Sequence, residues 1–249
     1  MRITLLGTGF AIPSKDRVHS GVLIETKELM LFDCGAGVLG RISQSRYDHI
    51  DIDHVFFTHH HLDHNSDFLA LIKANFLRGR NHLNVYGPIG TKKWIARLFD
   101  AYPYLKGRFD LKIEEMDGKQ AKLKDCTVSC EKMEHSMPAI GYRIETEKSS
   151  VAYTGDTVPC EAVIKLCKDK VNVLIQECAF PDPEEGEAIE GHTTPTALGK
   201  LIQGLKIEKL VITHFAPEAE GRQDEMVKSI KRYFKGEVVI AHDLLKIEV

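Results

Sequence analysis

The sequence predicts an α/β protein in which one β-sheet packs face to face on another, with helices outside. Three observations carry that expectation. Short apolar runs rich in β-branched residues recur in both halves of the 249-residue chain. Segments of helical spacing interleave with them. No proline-rich linker, low-complexity tract or short-period repeat divides the halves, so both sheets are assigned to one domain over residues 1–249. With 43% of its residues hydrophobic and 28% charged, a chain of this length buries a substantial core without staples.

In chain order, strands are expected at Ile3–Leu6, Gly21–Glu25, Met30–Asp33, His54–Thr58, Leu83–Tyr86 and Leu111–Glu115. More follow at Thr127–Met133, Ile140–Ile144, Val151–Thr154, Val173–Gln176, Leu210–Thr213 and Val238–Ala241. Helical spacing marks Phe68–Arg78, Thr91–Tyr102, Cys160–Lys168, Thr196–Gln203 and Gln223–Phe234. In the last of these Met226, Ile230, Tyr233 and Phe234 fall three to four apart or adjacent, as on a one-sided surface helix. Thr194 is the expected N-cap of the helix that Pro195 opens.

The formal net charge of −3 singles out neither nucleic acid nor membrane as a partner. The six cysteines form no CxxC pair and no zinc-finger spacing, so they read as reduced, mostly buried small hydrophobes. The opening MRITLLGTG lacks the apolar core and cleavage site of a signal peptide. No apolar run approaches the ~18 residues needed to span a bilayer. The expectation is a soluble, cytoplasmic protein with no membrane partner.

The chemistry concentrates where the strand His54–Thr58 breaks into His59-His-His61-Leu-Asp63-His64. Two histidines two apart on an extended chain point one way and can grip one ion. Asp63 and His64, around the bend, can grip a second. Imidazole nitrogens with a carboxylate oxygen suit Zn²⁺. A solvated polar loop would not explain four histidines in six residues behind an apolar strand. His135, Asp156 and His214 each sit just past the carboxyl end of an expected strand, the end where ligands gather in open α/β sheets. Each alone fits an ordinary loop position; their recurrence with the strong motif makes them candidates.

A series of segments runs in order along the whole chain: Leu6-Gly-Thr-Gly9, Leu31-Phe-Asp-Cys-Gly35, His59 to His64, Val85-Tyr-Gly-Pro88, and His135 followed by Gly141-Tyr142. Thr154-Gly-Asp156-Thr157, Glu177, His192-Thr-Thr194, Thr213-His214 and Ala241-His-Asp243 complete it. In these the chain resembles the metallo-β-lactamase superfamily, and within it the ribonuclease Z-like branch. The resemblance implies a four-layer αββα sandwich of two mixed sheets, with the site at the edge between them. It implies His59, His61 and His135 on one metal, Asp63, His64 and His214 on the other, and Asp156 bridging. Asp33 would brace the histidine loop from behind. Related di-iron proteins carry an acidic residue where this chain has His61, which favours two Zn²⁺ over a redox iron pair, with manganese or iron as other hydrolytic choices.

The expected function is dinuclear metal-dependent hydrolysis, foremost of a phosphodiester or nucleic-acid-like substrate, by a metal-held hydroxide. Two divalent ions, two carboxylates and one hydroxide leave about one formal positive charge, which matches a phosphodiester monoanion. By position in the family His192 serves the leaving group and Glu177 orients it, while Asp63 also orients the nucleophile. Lys15 and Arg17 resemble a substrate-side loop and are expected to touch phosphate; Val18 stands where the family has asparagine. The segment from Ile140 to Thr154 has no room for the long arm with which ribonuclease Z grips tRNA. Hydrolysis of a sulfate, thioester, carboxylic ester or lactone is the alternative, and a non-catalytic metal-binding module a third. A homodimer is expected by analogy alone.

Overall fold

The computed structural model describes residues 1–184 and 190–249. The first half of the chain supplies β1 (Arg2–Gly7), β2 (Gly21–Glu25), β3 (Leu29–Phe32), α1 (Val38–Gln44), β4 (His54–Phe56), α2 (Phe68–Leu77), β5 (His82–Gly87), α3 (Thr91–Ala101) and β6 (Asp110–Glu115). The second half supplies β7 (Gln120–Lys122), β8 (Thr127–Met133), β9 (Ala139–Glu145), β10 (Ser150–Tyr153), α4 (Glu161–Leu166), β11 (Val171–Glu177), α5 (Pro195–Leu201), β12 (Ile207–Thr213), α6 (Gln223–Lys231), β13 (Glu237–Ile240) and β14 (Leu245–Glu248). They form two seven-stranded mixed sheets, ordered β14-β1-β2-β3-β4-β5-β6 and β13-β12-β11-β10-β9-β8-β7.

The layering follows from the strand sequences. In β3 all four residues, Leu-Met-Leu-Phe, are buried, because both faces of that sheet are covered. Met30 and Phe32 face the second sheet, while Leu29 and Leu31 face a separate cluster with Val38 and Ile42 of α1, Phe68, Leu71 and Ile72 of α2, and Ile95 of α3. The period-2 alternation thus sorts one apolar run into two cores. Between the sheets Phe32, Phe56 and Tyr86 stack at 4.8 and 4.4 Å across three parallel strands, and Tyr142 meets Phe32 and Phe56 edge-on. Beyond the second sheet Val163, Leu198, Met226 and Ile230 of α4–α6 close the fourth layer.

Three short elements depart from the sequence reading: α1, β7 and β14 were not expected. α1 has seven residues with two buried, and β7 three residues with one buried, too few for a period to show. β14 pairs antiparallel with β1, which carries the end of the chain back to the first sheet. Thr194 stands at the N-cap position of α5, but its side chain does not cap. Asp182 takes that part from a distance, accepting the Thr196 amide at 2.8 Å and its hydroxyl at 2.7 Å. All six cysteines are free and buried.

The carboxyl ends of β3, β4, β8, β10, β11 and β12 lie at one edge of the sandwich. Hydrogen bonds fasten the sheets together there, two of them from β9. The buried Tyr142 hydroxyl donates to the Phe57 carbonyl at 2.6 Å, and the Ile140 amide to the Thr58 carbonyl at 2.9 Å. Residues 146–149 turn β9 directly into β10, with the Thr146 amide donating to the Ser149 carbonyl. No helix among the described residues is long and apolar enough to cross a membrane.

Candidate metal centre

At that edge the structure brings seven donors together in two adjoining groups. His59, His61, His135 and Asp156 form one; Asp63, His64, Asp156 and His214 form the other, with the donor atoms of each group within 4.8 Å of one another. His59, Asp63, His64, Asp156 and His214 are buried, and His61 and His135 half-buried.

Hydrogen bonds behind the imidazoles decide which nitrogen each turns inward. His64 Nδ1 donates to Asp33 at 2.8 Å, leaving Nε2 as an inward lone pair. His135 Nδ1 donates to the Gly191 carbonyl at 3.0 Å, to the same effect. Thr58 Oγ1 donates to Asp33 at 2.8 Å, so it accepts from His59 Nδ1 at 3.1 Å. His214 Nδ1 meets Ser20 Oγ at 2.9 Å. Asp33 organises this back wall. Besides His64 and the Thr58 hydroxyl, it accepts the Thr58 amide and the buried Tyr153 hydroxyl, each at 2.8 Å. It does so in the left-handed region, at φ 57°. Gly155, at φ 61°, lets the β10 end pass so close that a Cβ would come within 2.6 Å of Thr58 Cβ.

The donor spacing fits metal ions. Bonds of 2.0–2.1 Å to a tetrahedral ion place ligand atoms about 3.3 Å apart. His61 Nδ1 lies 3.0 Å from His59 Nε2 and 3.1 Å from His135 Nε2. Asp156 Oδ1 lies 3.3 Å from His64 Nε2, and Oδ2 3.1 Å from His214 Nε2 and 3.8 Å from His59 Nε2, so its carboxylate spans both groups. His64 Nε2, Asp156 Oδ1 and His214 Nε2 are buried with no hydrogen-bond partner among the described residues. Buried polar atoms without a partner are costly, and here they converge on one point.

The electrostatics agree. Burial opposes charge on Asp63 and Asp156, yet His64 and His214 hold both carboxyls well below their usual range. Burial, with His64 beside it, pushes His59 well down, towards the neutral ring that a ligand requires. His64 is the exception: burial lowers its pKa, but Asp156 and Asp33 beside it outweigh burial and raise it well above the usual value.

His60, between the donors, points elsewhere. It stacks on Trp94 at 4.4 Å, and its Nε2 meets Thr91 Oγ1 at 2.8 Å. His192 and Glu177 are adjacent to the donors: His192 Nδ1 donates to Glu177 Oε1 at 3.1 Å, and the His192 ring stacks on His214 at 5.7 Å. Burial works against a charged His192, but the Glu177 bond and charge outweigh it and raise its pKa. Burial raises Glu177, which accepts the Thr157, Thr193 and Ala179 amides at 3.1–3.2 Å.

Arg17 is turned into the protein. It donates to Glu220 at 2.8 Å, to the Thr8 hydroxyl at 2.6 Å and to the Ala241 carbonyl at 2.7 Å, and lies over Phe215. Asp243 holds the same loop by accepting the Thr8 and Val18 amides. Arg17 therefore sits as a brace of the N-terminal loop, whereas Lys15 is exposed. Sequence reasoning did not single out Thr58, Tyr153, Ser20 or Phe10, whose ring contacts His192 and His214 at 5.2 and 5.1 Å. Only their place beside the motifs could have signalled them.

The beta-lactamase superfamily domain matches residues 29–215 of the chain. The chain is 28% identical to ribonuclease Z of Methanosarcina mazei, over 302 aligned positions that cover 100% of this chain and 98% of that one. Among solved structures it is similar to the short form of human tRNase Z, at 25% identity and a TM-score of 0.82, covering 100% of this chain and 99% of that one. It is also similar to the metallo-beta-lactamase fold protein YhfI of Bacillus subtilis, at 24% identity and a TM-score of 0.85, with the same coverage.

Proposed function

Because this chain belongs to the metallo-β-lactamase superfamily, we propose that it is a two-metal hydrolase of phosphodiesters, in the manner of its ribonuclease Z-like relatives. The observation that carries the reading is the pair of donor groups sharing Asp156, with a Glu177-supported His192 beside them. His59, His61 and His135 would hold one ion and Asp63, His64 and His214 the other, with Asp156 common to both. Zinc suits five imidazoles and two carboxylates, and manganese or iron are the other candidates. Two such ions, held there, would lower the pKa of a bound water and offset charge on the phosphoryl oxygens.

The chain's own residues do the rest. His192 uses Nδ1 to hold Glu177, which leaves Nε2 to deliver a proton to the departing oxygen. Glu177 is fixed by three backbone amides, so it sets the ring's direction and favours its protonated form. Asp63 orients the attacking water from the second group. With two divalent ions bound, the two carboxylates would leave the site positive, which would suit a monoanionic diester better than a neutral ester. Rates on bis(p-nitrophenyl) phosphate, an aryl sulfate and a lactone test the reaction class. The diester is expected to lead; a preference for sulfate or lactone would replace this reading with the acyl or sulfuryl alternative.

A further inference from the structure

A cleft of about 1150 Å³ opens beside the donors, and His61, His135 and His192 form part of its wall. Much of the remainder is apolar: Pro88, Ile89, Met116, Met133, Met137 and Ile140. The volume is slightly above the usual range for a small-ligand site, and methionine thioethers adapt to a ligand's shape. Ile89 is 55% exposed, a large apolar side chain left facing water beside the site. The charges at the cleft are unsuited to a polyanion. Among the described residues that line it, Asp117, Glu134 and Glu190 stand against the single ammonium of Lys132. Every further nucleotide of an RNA would bring another negative charge towards those carboxylates. Arg17 is committed to Glu220 and is not among the residues that line the cleft.

Resting on the phosphodiesterase reading, we infer that the cleft seats the uncharged, apolar leaving arm of a small phosphodiester. The substrate class is then a diester between phosphate and an alkyl- or aryl-type alcohol, not a polynucleotide. The leaving arm is the one placed there because His192 belongs to both the cleft wall and the proton-delivering pair. Water's oxygen bonds to phosphorus as the phosphorus–oxygen bond to the arm breaks. One proton passes to the departing oxygen, and a phosphomonoester and an alcohol result.

The test is a series of methyl p-alkylphenyl phosphates from p-methyl to p-butyl, whose leaving groups share one acidity and differ only in apolar length. With the protein as purified, kcat/KM is expected to rise about two- to fourfold per added methylene. Ile89→Glu and Met137→Glu flatten that slope. Calorimetry with 4-butylphenol gives a second readout, with binding expected to wild type and lost in the double variant. If no diester is hydrolysed the phosphodiesterase reading fails, while the phenol titration still reports on the cleft. Hydrolysis with no slope and no phenol binding, or rates that climb with oligonucleotide length, would overturn the inference.

Discussion

At the scale of single residues the centre depends on groups that never touch a substrate. Asp33 accepts four hydrogen bonds in a buried, left-handed position, and two of them set the tautomers of His64 and, through Thr58, His59. Asp33→Ala should therefore weaken metal affinity about 10- to 100-fold while all seven donors remain. Competition against a calibrated chelator measures this; unchanged affinity would show that packing alone aims the imidazoles. The same scale explains what could be read from the chain beforehand. The four-histidine stretch announces metal because its spacing is itself the chemistry. Asp33 could be proposed from its place in Leu31-Phe-Asp-Cys-Gly35, but the reach of Tyr153 to it from the other sheet is a tertiary fact. Arg17 shows the opposite case: a basic residue in a loop looks available for phosphate until Glu220, 203 positions away, is seen to occupy it.

Elements place these residues, and the strands were legible in proportion to their length and burial. β8, β9 and β11, with seven residues each, carry clear apolar patterns, whereas β7 has three residues and one buried position. α1 follows Gly37 at φ 92°, and its first amides, Gly37 and Leu39, donate to Asp67 at 2.9 Å, a partner from outside the segment that no periodic face announces. One joint between elements has a measurable pH signature. Glu28, in the β2–β3 turn, accepts the Lys124 amide of the β7–β8 turn and the His54 ring at 3.2 Å, and so stitches the two sheets. Burial would raise its pKa, but the Lys124 amide and His54 outweigh burial and lower it. A carboxyl with a depressed folded pKa stabilises the protein above its unfolded pKa, and that contribution is lost as pH falls through the folded value. Glu28→Gln should cost about 1 kcal/mol at neutral pH and flatten the acid limb of the stability curve. Equal acid sensitivity in wild type and variant would remove Glu28 from the account.

For the whole molecule, the β14–β1 pairing and the shared inter-sheet core make the halves interdependent, so we propose that residues 1–249 act as one folding unit. Calorimetry should show one cooperative transition, and chelation should lower its midpoint, since ions held only by the folded edge stabilise by mass action. Two resolved transitions would divide the chain. The layered class was readable because apolar runs and helical spacing alternate along the full length; the face-to-face order of four layers needed the alternating burial of β3 to be seen. Two-metal hydrolysis assisted by His192 is tested by bis(p-nitrophenyl) phosphate turnover of wild type and His192→Ala, with metal content determined on the same samples. The expected result is about two metals per chain in both proteins, clear turnover by wild type, and a loss of roughly 10²- to 10⁴-fold in kcat in the variant. Metals in both with no hydrolysis by either would contradict it, as would full activity in the variant.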